Sequence, residues 1–437
     1  MRLIVLVTLV AATSCATAQK ISKLANSLVI NSPATANAHV GISIYEPATG
    51  KYIYNFNADK YFIPASNTKI ASCYAAMTIL GDSLLGLQYN KSSNGYEIFP
   101  TGDPTLLHPD YKNQPVFEFL KTIPKYQINF NAWQTTAWGS GWAWNDYNDD
   151  YNVERSAMPL YGNMVAVSHV GNNDVSYPSY FFGPNNADMQ KQEPITSGNK
   201  YYILRDQHSN NFVLKSDDVV FKNQIIPYVT SNLLTQKLLY DTLSKVRTAT
   251  NNPLHLENNN TRYNIYSQPT DSMLKPMMQQ SDNFFAEQSL LMASYAKFGI
   301  INEDSIINYL LATTLKDIPQ KPRWVDGSGL SRYNLFTPQS LVYILTQLQN
   351  TVGMSRIKGV FATGSMPGTI KNYYKNLTGK LFAKTGTLNG VCCLSGYLYT
   401  KKGKLFVFST MVNGYQGSAT VVRRAVEAFI TSVYNKY

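Results

Sequence analysis

The feature that most constrains the fold is a change of character in the middle of this 437-residue chain. From about residue 81 to residue 262 the sequence is crowded with Asn, Tyr, Ser and Pro, and short strand-like runs alternate with turns. Segments with the apolar spacing of helices lie on both sides of this stretch. We therefore expect one domain that is built from both ends of the chain and interrupted by a large, mostly β insertion.

The predicted boundaries follow from this change. Residues 1–18 form a leader, residues 19–83 and 262–437 form the main domain, and residues 84–261 form the insertion. The main domain contains five segments with strand patterns, at residues 40–45, 51–56, 382–384, 391–399 and 405–412. Helical patterns surround these segments, so the predicted fold class is α+β, with an antiparallel sheet flanked by helices.

The leader has the three parts of a secretory signal peptide. Arg2 precedes an apolar run at residues 3–12, and Ala16-Thr17-Ala18 offers the small residues that a signal peptidase requires. We therefore expect export to the periplasm, with a mature chain that begins near Gln19. Lipid attachment at Cys15 is a less favoured alternative, because the residues before it form a poor lipobox. No later apolar run approaches the roughly 20 residues of a membrane span, so none is expected.

Composition narrows the classes of partner. The formal net charge of +11 fits nucleic acid, an anionic membrane or an acidic polymer as partner, and it equally fits a solvated basic surface. The chain has no compact Lys/Arg cluster of the nucleic-acid type, because Lys401-Lys402-Gly403-Lys404 has the pattern of a hairpin turn. We therefore expect no nucleic-acid partner.

Cysteine usage argues against a disulfide framework. Three cysteines follow the leader, Cys73, Cys392 and Cys393, and an odd number this small cannot form one. Each lies in an apolar run, which favours a small buried side chain. A bridge between Cys73 and one of the other two stays open.

The common cofactor motifs are missing from the sequence. It contains no HExxH or CxxC, and its five histidines are isolated, so we expect no metal. It also contains no GxxxxGK[ST] or GxGxxG, and we expect no cofactor. Gly327-Ser328-Gly329 is too short for a nucleophile elbow of the GxSxG type.

With those motifs absent, the remaining candidate is a catalytic serine whose base is not a histidine. Ser66-Asn67-Thr68-Lys69 begins a predicted helix, where positions three apart face the same way. A neutral lysine amine in that position can take the proton of the serine hydroxyl. The signal is weak alone, because the S-x-x-K pattern occurs five times in the chain.

Two further motifs follow along the chain. Ser281-Asp282-Asn283 stands at the entrance of a predicted helix, where an N-cap role is also compatible with a catalytic one. Lys384-Thr385-Gly386 is the only KTG and lies on a predicted strand. Gly386 is expected to keep the strand surface open to a substrate backbone, and Lys384 and Thr385 are suited to gripping a carboxylate.

In this order the three motifs resemble the set found in penicillin-binding proteins and class A β-lactamases. The second motif begins 215 positions after Ser66, and the third begins 103 positions later. A first gap of this length requires an inserted module. The chain is therefore similar to the D-alanyl-D-alanine carboxypeptidases/endopeptidases of the peptidase S13 family, which are class C low-molecular-mass penicillin-binding proteins. Four other segments look like family blocks, at residues 63–65, 101–106, 141–146 and 326–332.

The resemblance implies a serine β-lactamase/penicillin-binding-protein transpeptidase-like fold and a serine DD-peptidase. Its substrates would be the D-Ala-D-Ala ends of peptidoglycan stem peptides and D-Ala-diaminopimelate cross-links, and β-lactam antibiotics would be covalent inhibitors. Ser66 would be the nucleophile and Lys69 its base. Ser281 would relay the proton to the leaving amine, and Asn283 would hold Lys69 and the substrate amide.

The same resemblance implies the binding groups. Lys384, Thr385 and Thr387 would bind the terminal carboxylate, and the backbone N–H groups of Ser66 and Thr387 would form the oxyanion hole. Arg332 matches the family arginine that meets an acidic group on the stem peptide.

One position departs from the family pattern. The aromatic block of the family reads W-x-W-D-D, and Asn145 stands here at the first acid. Asp146 is expected to replace it in meeting a free amine on the stem peptide.

Two other functions stay open from the sequence. A serine β-lactamase needs a base for fast deacylation, which class A enzymes carry as a glutamate on a loop between the second and third motifs. Glu287 and Glu303 lie in or beside predicted helices instead. An inactive cell-wall binding protein would be expected to have lost motif side chains, and all of them are intact.

Overall fold

The computed structural model describes residues 19–170, 173–182, 190–192, 203–215, 223–246 and 261–437. The predicted leader at residues 1–18, with Cys15 and the expected cleavage site, lies outside the described residues. The chain divides into two compact units, and the first is formed by Met1–Thr78, Leu274–Asp282 and Ile307–Tyr437. The second unit is formed by Ile79–Met273 and Asn283–Ile306. The observed units place the segment Asn283–Ile306 with the middle of the chain, whereas the sequence boundaries placed it in the main domain.

The strands of the described residues are β1 (His39–Glu46), β2 (Lys51–Phe56), β3 (Ser83–Ser92), β4 (Gly95–Pro100), β5 (Tyr126–Ile128), β6 (Met164–Val170), β7 (Asn173–Tyr177), β8 (Gln190–Gln192), β9 (Ile203–Arg205), β10 (Phe212–Lys215), β11 (Gln224–Pro227), β12 (Tyr263–Pro269), β13 (Leu381–Leu388), β14 (Val391–Tyr399) and β15 (Leu405–Asn413). Their main α-helices are α1 (Lys69–Ile79), α2 (Pro115–Thr122), α3 (Asn232–Ser244), α4 (Thr270–Gln279), α5 (Asn283–Phe298), α6 (Glu303–Ala312), α7 (Pro338–Val360) and α8 (Ala419–Lys436).

The first unit contains a five-stranded antiparallel sheet in the order β13-β14-β15-β1-β2. β14 is buried along nearly its whole length, which explains its continuous apolar sequence, since a strand covered on both faces does not alternate. The structure confirms the five predicted strands and extends the first strand of the final run to Leu388. β13 is an edge strand of this sheet, so one side of its backbone has no sheet partner.

Helix α8 closes the core of the first unit. Its buried residues are the five that the helical spacing predicted, Val422, Val426, Phe429, Ile430 and Val433. They belong to one cluster with apolar residues of β1, β13, β14 and β15. Burial of these side chains stabilises the unit by about 25 cal/mol per Å² of apolar surface removed from water.

The second unit contains a four-stranded sheet, β12-β3-β4-β5, and two three-stranded sheets, β11-β6-β7 and β8-β10-β9. The prediction of short strands in the insertion is borne out, but α2 and α3 are helices that the composition did not suggest. Pro115 occupies the start of α2, and the hydroxyl of Ser231 caps α3 by accepting from the backbone N–H of Leu234. The predicted strand at residues 218–221 lies outside the described residues.

Cys73, Cys392 and Cys393 are buried and form no disulfide, so the bridge that the sequence left open is not formed. Their burial agrees with the reading of small apolar side chains. Within the described ranges, none of the helices combines the length and the apolar character that a bilayer crossing needs.

Candidate active site

The first predicted motif forms a sharp turn into a helix. A 3₁₀ turn, Ala65–Thr68, leads directly into α1. Ala65 has a φ of 47°, which a residue with a side chain rarely adopts, and the hydroxyl of Thr68 donates to the Ala65 carbonyl at 2.9 Å. In a 3₁₀ turn positions three apart are eclipsed. The turn therefore aims the half-buried Ser66 and the fully buried Lys69 in the same direction.

The amine of Lys69 lies at hydrogen-bond distance from the serine. Its Nζ is 2.9 Å from Ser66 Oγ, and it also donates to the backbone carbonyl of Ser328 at 2.7 Å. Two fixed oxygen partners hold the amine against the hydroxyl without any rearrangement. Deprotonation of Ser66 by a neutral Lys69 is therefore geometrically feasible.

A buried carboxylate shapes the loop that carries Ser328. Asp326 is fully buried and accepts hydrogen bonds from the backbone N–H groups of Gly329 at 2.8 Å and Ser331 at 2.7 Å. A Cβ atom at Gly329 would lie 1.9 Å from the carbonyl oxygen of Ala65, so the loop fits against the nucleophile turn only as glycine. The sequence alone gave no role to Ser328. The two glycines that follow Asp326 are the feature of the sequence that could have pointed to this loop.

The second and third motifs meet through Lys384. Its Nζ donates to Ser281 Oγ and to the Thr385 carbonyl, both at 2.9 Å. Burial, and then the charge of nearby Lys69, hold the pKa of Lys384 well below its usual range. The two lysines are therefore close enough to couple, and Ser66, Lys69, Ser281 and Lys384 form one cluster in the first unit.

The strand of the third motif lies directly on the nucleophile turn. A Cβ atom at Gly386 would lie 2.4 Å from the carbonyl oxygen of Pro64. The amide of Asn67 also donates to Ser395 Oγ on β14 at 2.7 Å. The sequence had connected Gly386 with an open surface for substrate, and the structure shows that its missing side chain first makes room for the backbone before Ser66.

The outer edge of β13 carries donors and hydroxyls. The Ala383 N–H points away from β14, because it donates to the Ala362 carbonyl at 2.9 Å. Backbone direction alternates along a strand, so the N–H groups of Thr385 and Thr387 point to the same outer edge. Thr385 Oγ1 lies 2.9 Å from Thr369 Oγ1.

Arg332 lies at one end of this edge. Its guanidinium is exposed and donates to the Asn389 carbonyl at 3.3 Å, in the turn that joins β13 and β14. This position keeps it near the end of β13 that carries Thr387.

The remaining two predicted residues belong to the second unit. The Asn283 amide donates to the Tyr151 carbonyl at 2.8 Å. Asp146, in the 3₁₀ turn Trp144–Asp146, is half-buried. Burial, followed by the charges and hydrogen bonds of Asp149 and Asp146, raises the pKa of the Tyr151 hydroxyl. Asp146 therefore contacts this tyrosine and belongs to the same local cluster as Asn283.

No group of three or more His, Cys, Asp or Glu side chains that could hold a metal occurs in the ranges that the structure describes. The chemistry described for the cluster around Ser66 uses only serine, lysine and backbone groups.

Two known proteins are similar to this chain in sequence along most of its length. D-alanyl-D-alanine carboxypeptidase DacB of Haemophilus influenzae is 23% identical over 450 residues, which cover 91% of each chain. A D-alanyl-D-alanine carboxypeptidase of an Actinomadura species is 24% identical over 445 residues, 90% of this chain and 80% of that one.

Solved structures agree on the fold. Penicillin-binding protein 4 of H. influenzae superposes with a TM-score of 0.72 at 20% identity, covering 95% of this chain and 98% of its own. A predatory endopeptidase of Bdellovibrio bacteriovorus gives a TM-score of 0.53 at 16% identity, with 91% and 94% covered. At these identities the likeness establishes the transpeptidase-like α+β fold, and the predicted fold class is confirmed.

The family model for D-Ala-D-Ala carboxypeptidase 3 matches residues 22–433, almost the entire chain. This match confirms the resemblance inferred from the three motifs. The chain belongs to the D-Ala-D-Ala carboxypeptidase 3 (S13) family and is a serine hydrolase.

Proposed function

We propose that this chain is an exported DD-peptidase in which Ser66 attacks the carbonyl of the bond between the two terminal D-alanines of a peptidoglycan stem peptide. The observation that carries the proposal is the 2.9 Å distance between Lys69 Nζ and Ser66 Oγ in a chain of this family. The function includes covalent capture of penicillin at the same serine, because a β-lactam presents a reactive amide to the same nucleophile.

The first step needs a neutral amine. Lys69 and Lys384 are both fully buried, and like charges held close together in such a site disfavour double protonation. Burial, and after it the charge of Lys69, lower the pKa of Lys384, so the pair does not hold two protons, and we assign the neutral amine of the reactive form to Lys69. Lys69 then accepts the proton of Ser66 while the bond between Oγ and the substrate carbonyl carbon forms.

Collapse of the tetrahedral intermediate requires a proton on the leaving amine. Ser281 Oγ lies 2.9 Å from Lys384 Nζ, which gives this hydroxyl a hydrogen-bond partner from which its proton can be replaced. We assign Ser281 the relay of a proton to the departing D-alanine nitrogen as the C–N bond breaks. Water then attacks the acyl-enzyme, and Ser66 is regenerated.

The developing oxyanion needs fixed donors. The backbone N–H groups of Ser66 and Thr387 are proposed for this role, and the outward direction of the Thr387 N–H supports it. Removing a single such donor typically lowers turnover by ~10²–10³-fold.

Several finer assignments remain predictions from the sequence. Asn283 is proposed to hold Lys69 and the substrate amide, Asp146 to meet a free amine, and Arg332 to meet an acidic group on the stem. Action on cross-links, location in the periplasm and a signal peptide at residues 1–18 belong to the same proposal. Thr385 and Gly386 are proposed to line the substrate edge.

A specific observation disfavours the β-lactamase alternative. Glu287 and Glu303 are the only glutamates between the second and third motifs. Both form ion pairs with buried Arg155 in the second unit, at 3.4 Å and 2.9 Å. A glutamate engaged in this way is poorly placed to activate a deacylating water, so we expect a long-lived penicilloyl adduct.

Labelled penicillin and a peptide that ends in D-Ala-D-Ala test the proposal together. We expect the wild type to carry the label on Ser66 and to release D-alanine, and Ser66→Ala to do neither. Ser355→Ala is the matched control, because Ser355 begins another S-x-x-K on an exposed helical position. A wild type with no label and no released D-alanine, or a labelled Ser66→Ala, would overturn the assignment.

A further inference from the structure

Charge is divided very unevenly between the two units. The first unit contains 23 of the 38 Lys and Arg residues and 6 of the 27 Asp and Glu residues, and the second unit contains the rest. The formal net charge is therefore +17 in the first unit and −6 in the second, so the +11 of the whole chain understates the charge of the unit that contains Ser66. An asymmetry of this kind points to a polyanionic partner of the basic unit.

Five lysines of the first unit gather at one end of its five-stranded sheet. In an antiparallel sheet, the start of each strand lies beside the end of its neighbour. Lys380 precedes β13, Lys401 and Lys402 follow β14, Lys404 precedes β15, and Lys51 begins β2. Five neighbouring strands span roughly 20 Å at about 4.8 Å between strands, so these lysines form an elongated row.

Two helices bring further lysines to the same end. Lys436 lies in the last turn of α8, and carbonyls at the end of this helix accept from the backbone N–H groups of Lys401 and Lys402 at 3.0 and 2.8 Å. Lys358 lies in the last turn of α7, and its Nζ is 4.6 Å from the centre of the Tyr399 ring, at the end of β14. The name lysine end is used below for the set Lys51, Lys358, Lys380, Lys401, Lys402, Lys404 and Lys436.

The lysine end has little counter-charge. The acidic side chain beside it, Glu46, is only 6% exposed and pairs with Lys404 at 2.8 Å. The other six lysines are exposed, and within the ranges that the structure describes none of them forms an ion pair. Their charges are therefore available to an external anion.

The side chains at this end favour a hydrated polymer over a bilayer or a nucleic acid. A surface that binds a bilayer usually adds exposed apolar side chains that enter the interface. In the described part of the first unit, no Trp, Phe, Leu or Ile is strongly exposed. Phosphate and nucleic-acid sites favour the bidentate fork of arginine, and all seven basic residues here are lysines, which act as point charges.

We propose that the lysine end is a docking surface for the carboxylate-rich peptidoglycan polymer, where it holds acidic stem peptides that neighbour the one at Ser66. This inference rests on the proposed function and names the partner as polymeric peptidoglycan and not a free stem peptide. Lys380 lies four positions before Lys384, which is roughly 13 Å along a strand. One polymer can therefore contact the lysine end and the catalytic cluster together, which raises the local concentration of stems at Ser66.

This contact forms before the chemical step and persists through it. Its loss therefore raises KM for the polymer and leaves kcat, and the rate on a short peptide, nearly unchanged. An exposed charge pair corresponds to about a 1.4- to 5-fold change in affinity, so the removal of three lysines should weaken binding by about 3- to 100-fold. Because the screening length falls to about 3 Å at 1 M salt, high salt should remove the same contribution from the wild type.

The test uses two triple variants of the full chain that change the net charge equally. The first removes charge from the lysine end through Lys380→Gln, Lys401→Gln and Lys402→Gln. The control removes it from three exposed lysines of the same unit that are not part of the lysine end, through Lys60→Gln, Lys316→Gln and Lys321→Gln.

Binding is measured by co-sedimentation with purified peptidoglycan in a Ser66→Ala background, which abolishes turnover. The same measurement is made with peptidoglycan whose carboxyl groups have been amidated and with phosphatidylglycerol vesicles. Release of D-alanine from peptidoglycan and from a short D-Ala-D-Ala peptide is then followed with Ser66 intact.

We expect the lysine-end variant to bind native peptidoglycan about 3- to 100-fold more weakly and to show a KM for the polymer raised by the same factor, with rates on the short peptide within about 2-fold of wild type. The control variant should bind as wild type does, and amidated peptidoglycan should bind weakly to every variant. Equal losses in the two variants would reduce the effect to net charge and overturn the docking surface. Unchanged binding of amidated peptidoglycan, or binding to the vesicles without binding to peptidoglycan, would overturn the assigned partner.

Failure of the docking surface is distinguishable from failure of the proposed function. If the wild type releases D-alanine and the lysine-end variant binds peptidoglycan as the wild type does, only the docking surface is wrong. If the wild type neither reacts with penicillin nor releases D-alanine, the proposed function is wrong, and the role of the lysine end in substrate capture fails with it.

Discussion

The contact between Gly386 and the backbone before Ser66 makes the most direct test of the site geometry. Gly386→Ala adds a single carbon atom, which would lie 2.4 Å from the Pro64 carbonyl oxygen and 3.1 Å from the Asn67 backbone nitrogen. Neither neighbour is the flexible end of a side chain. The strand or the nucleophile turn must therefore move.

The size of that movement follows from the distance. An ordinary contact of a Cβ atom begins near 3.4 Å, so Pro64 and the strand must separate by about 1 Å. Pro64 lies two residues before Ser66, whose Oγ is 2.9 Å from Lys69 Nζ. A misplacement of about 1 Å in a catalytic group can cost ~10²-fold in rate. Overpacking of this kind also costs about 1–3 kcal/mol of stability.

The assay measures the second-order rate of acylation by labelled penicillin at a temperature where both proteins are folded, and Tm separately. Gly359→Ala is the matched control. Gly359 lies in α7, and an added Cβ there meets nothing within 4 Å. We expect this control to acylate at the wild-type rate and to gain about 0.5–1 kcal/mol of stability, as alanine does in a helix.

An unchanged acylation rate for Gly386→Ala with a normal Tm would refute the reasoning. Such a result would mean that β13 does not lie against the turn that carries Ser66. A lower Tm with full acylation would limit the role of Gly386 to stability.

Two further predictions concern the lysines. Lys69→Ala should slow penicillin acylation at least ~10²-fold, the usual size of a general-base effect; a near-normal rate in stopped-flow labelling would show that another group takes the proton. The pKa of Lys384 in the folded chain lies well below its ordinary 10.5, so between those two values the unfolded state binds more protons and the free energy of unfolding rises with pH. Lys384→Met should flatten this rise in urea titrations from neutral to alkaline pH, and an unchanged pH slope would contradict the burial argument.

The three motifs were readable in the sequence because each requires particular residues at short spacing. The S-x-x-K of Ser66 and Lys69 depends only on a local turn, and the KTG of Lys384 depends only on a strand. Local structure of this kind follows from nearby residues, and the predicted strands and the closing helix agree with the structure.

The helices α2 and α3 show where local reasoning failed. Because turn-forming residues crowd the insertion, the sequence predicted short strands and turns there and not a helix. The apolar spacing of Leu238, Leu239 and Leu243, which form the buried side of α3, was too short to change that prediction. Packing against the core of the second unit stabilises these segments, and a tertiary contact of this sort overrides propensity.

By itself the sequence determined the chemistry available to this protein, which is a serine with a lysine one turn away, a second serine and a second lysine, in an α+β domain with a long insertion. Only the tertiary structure decided how these groups meet. It set the carbonyl of Ser328 against Lys69, Pro64 against Gly386, and Arg423 against Thr387, three pairs separated by 36 to more than 300 positions. Contacts of such long range depend on how the sheet and helices pack, and no local pattern of residues encodes them.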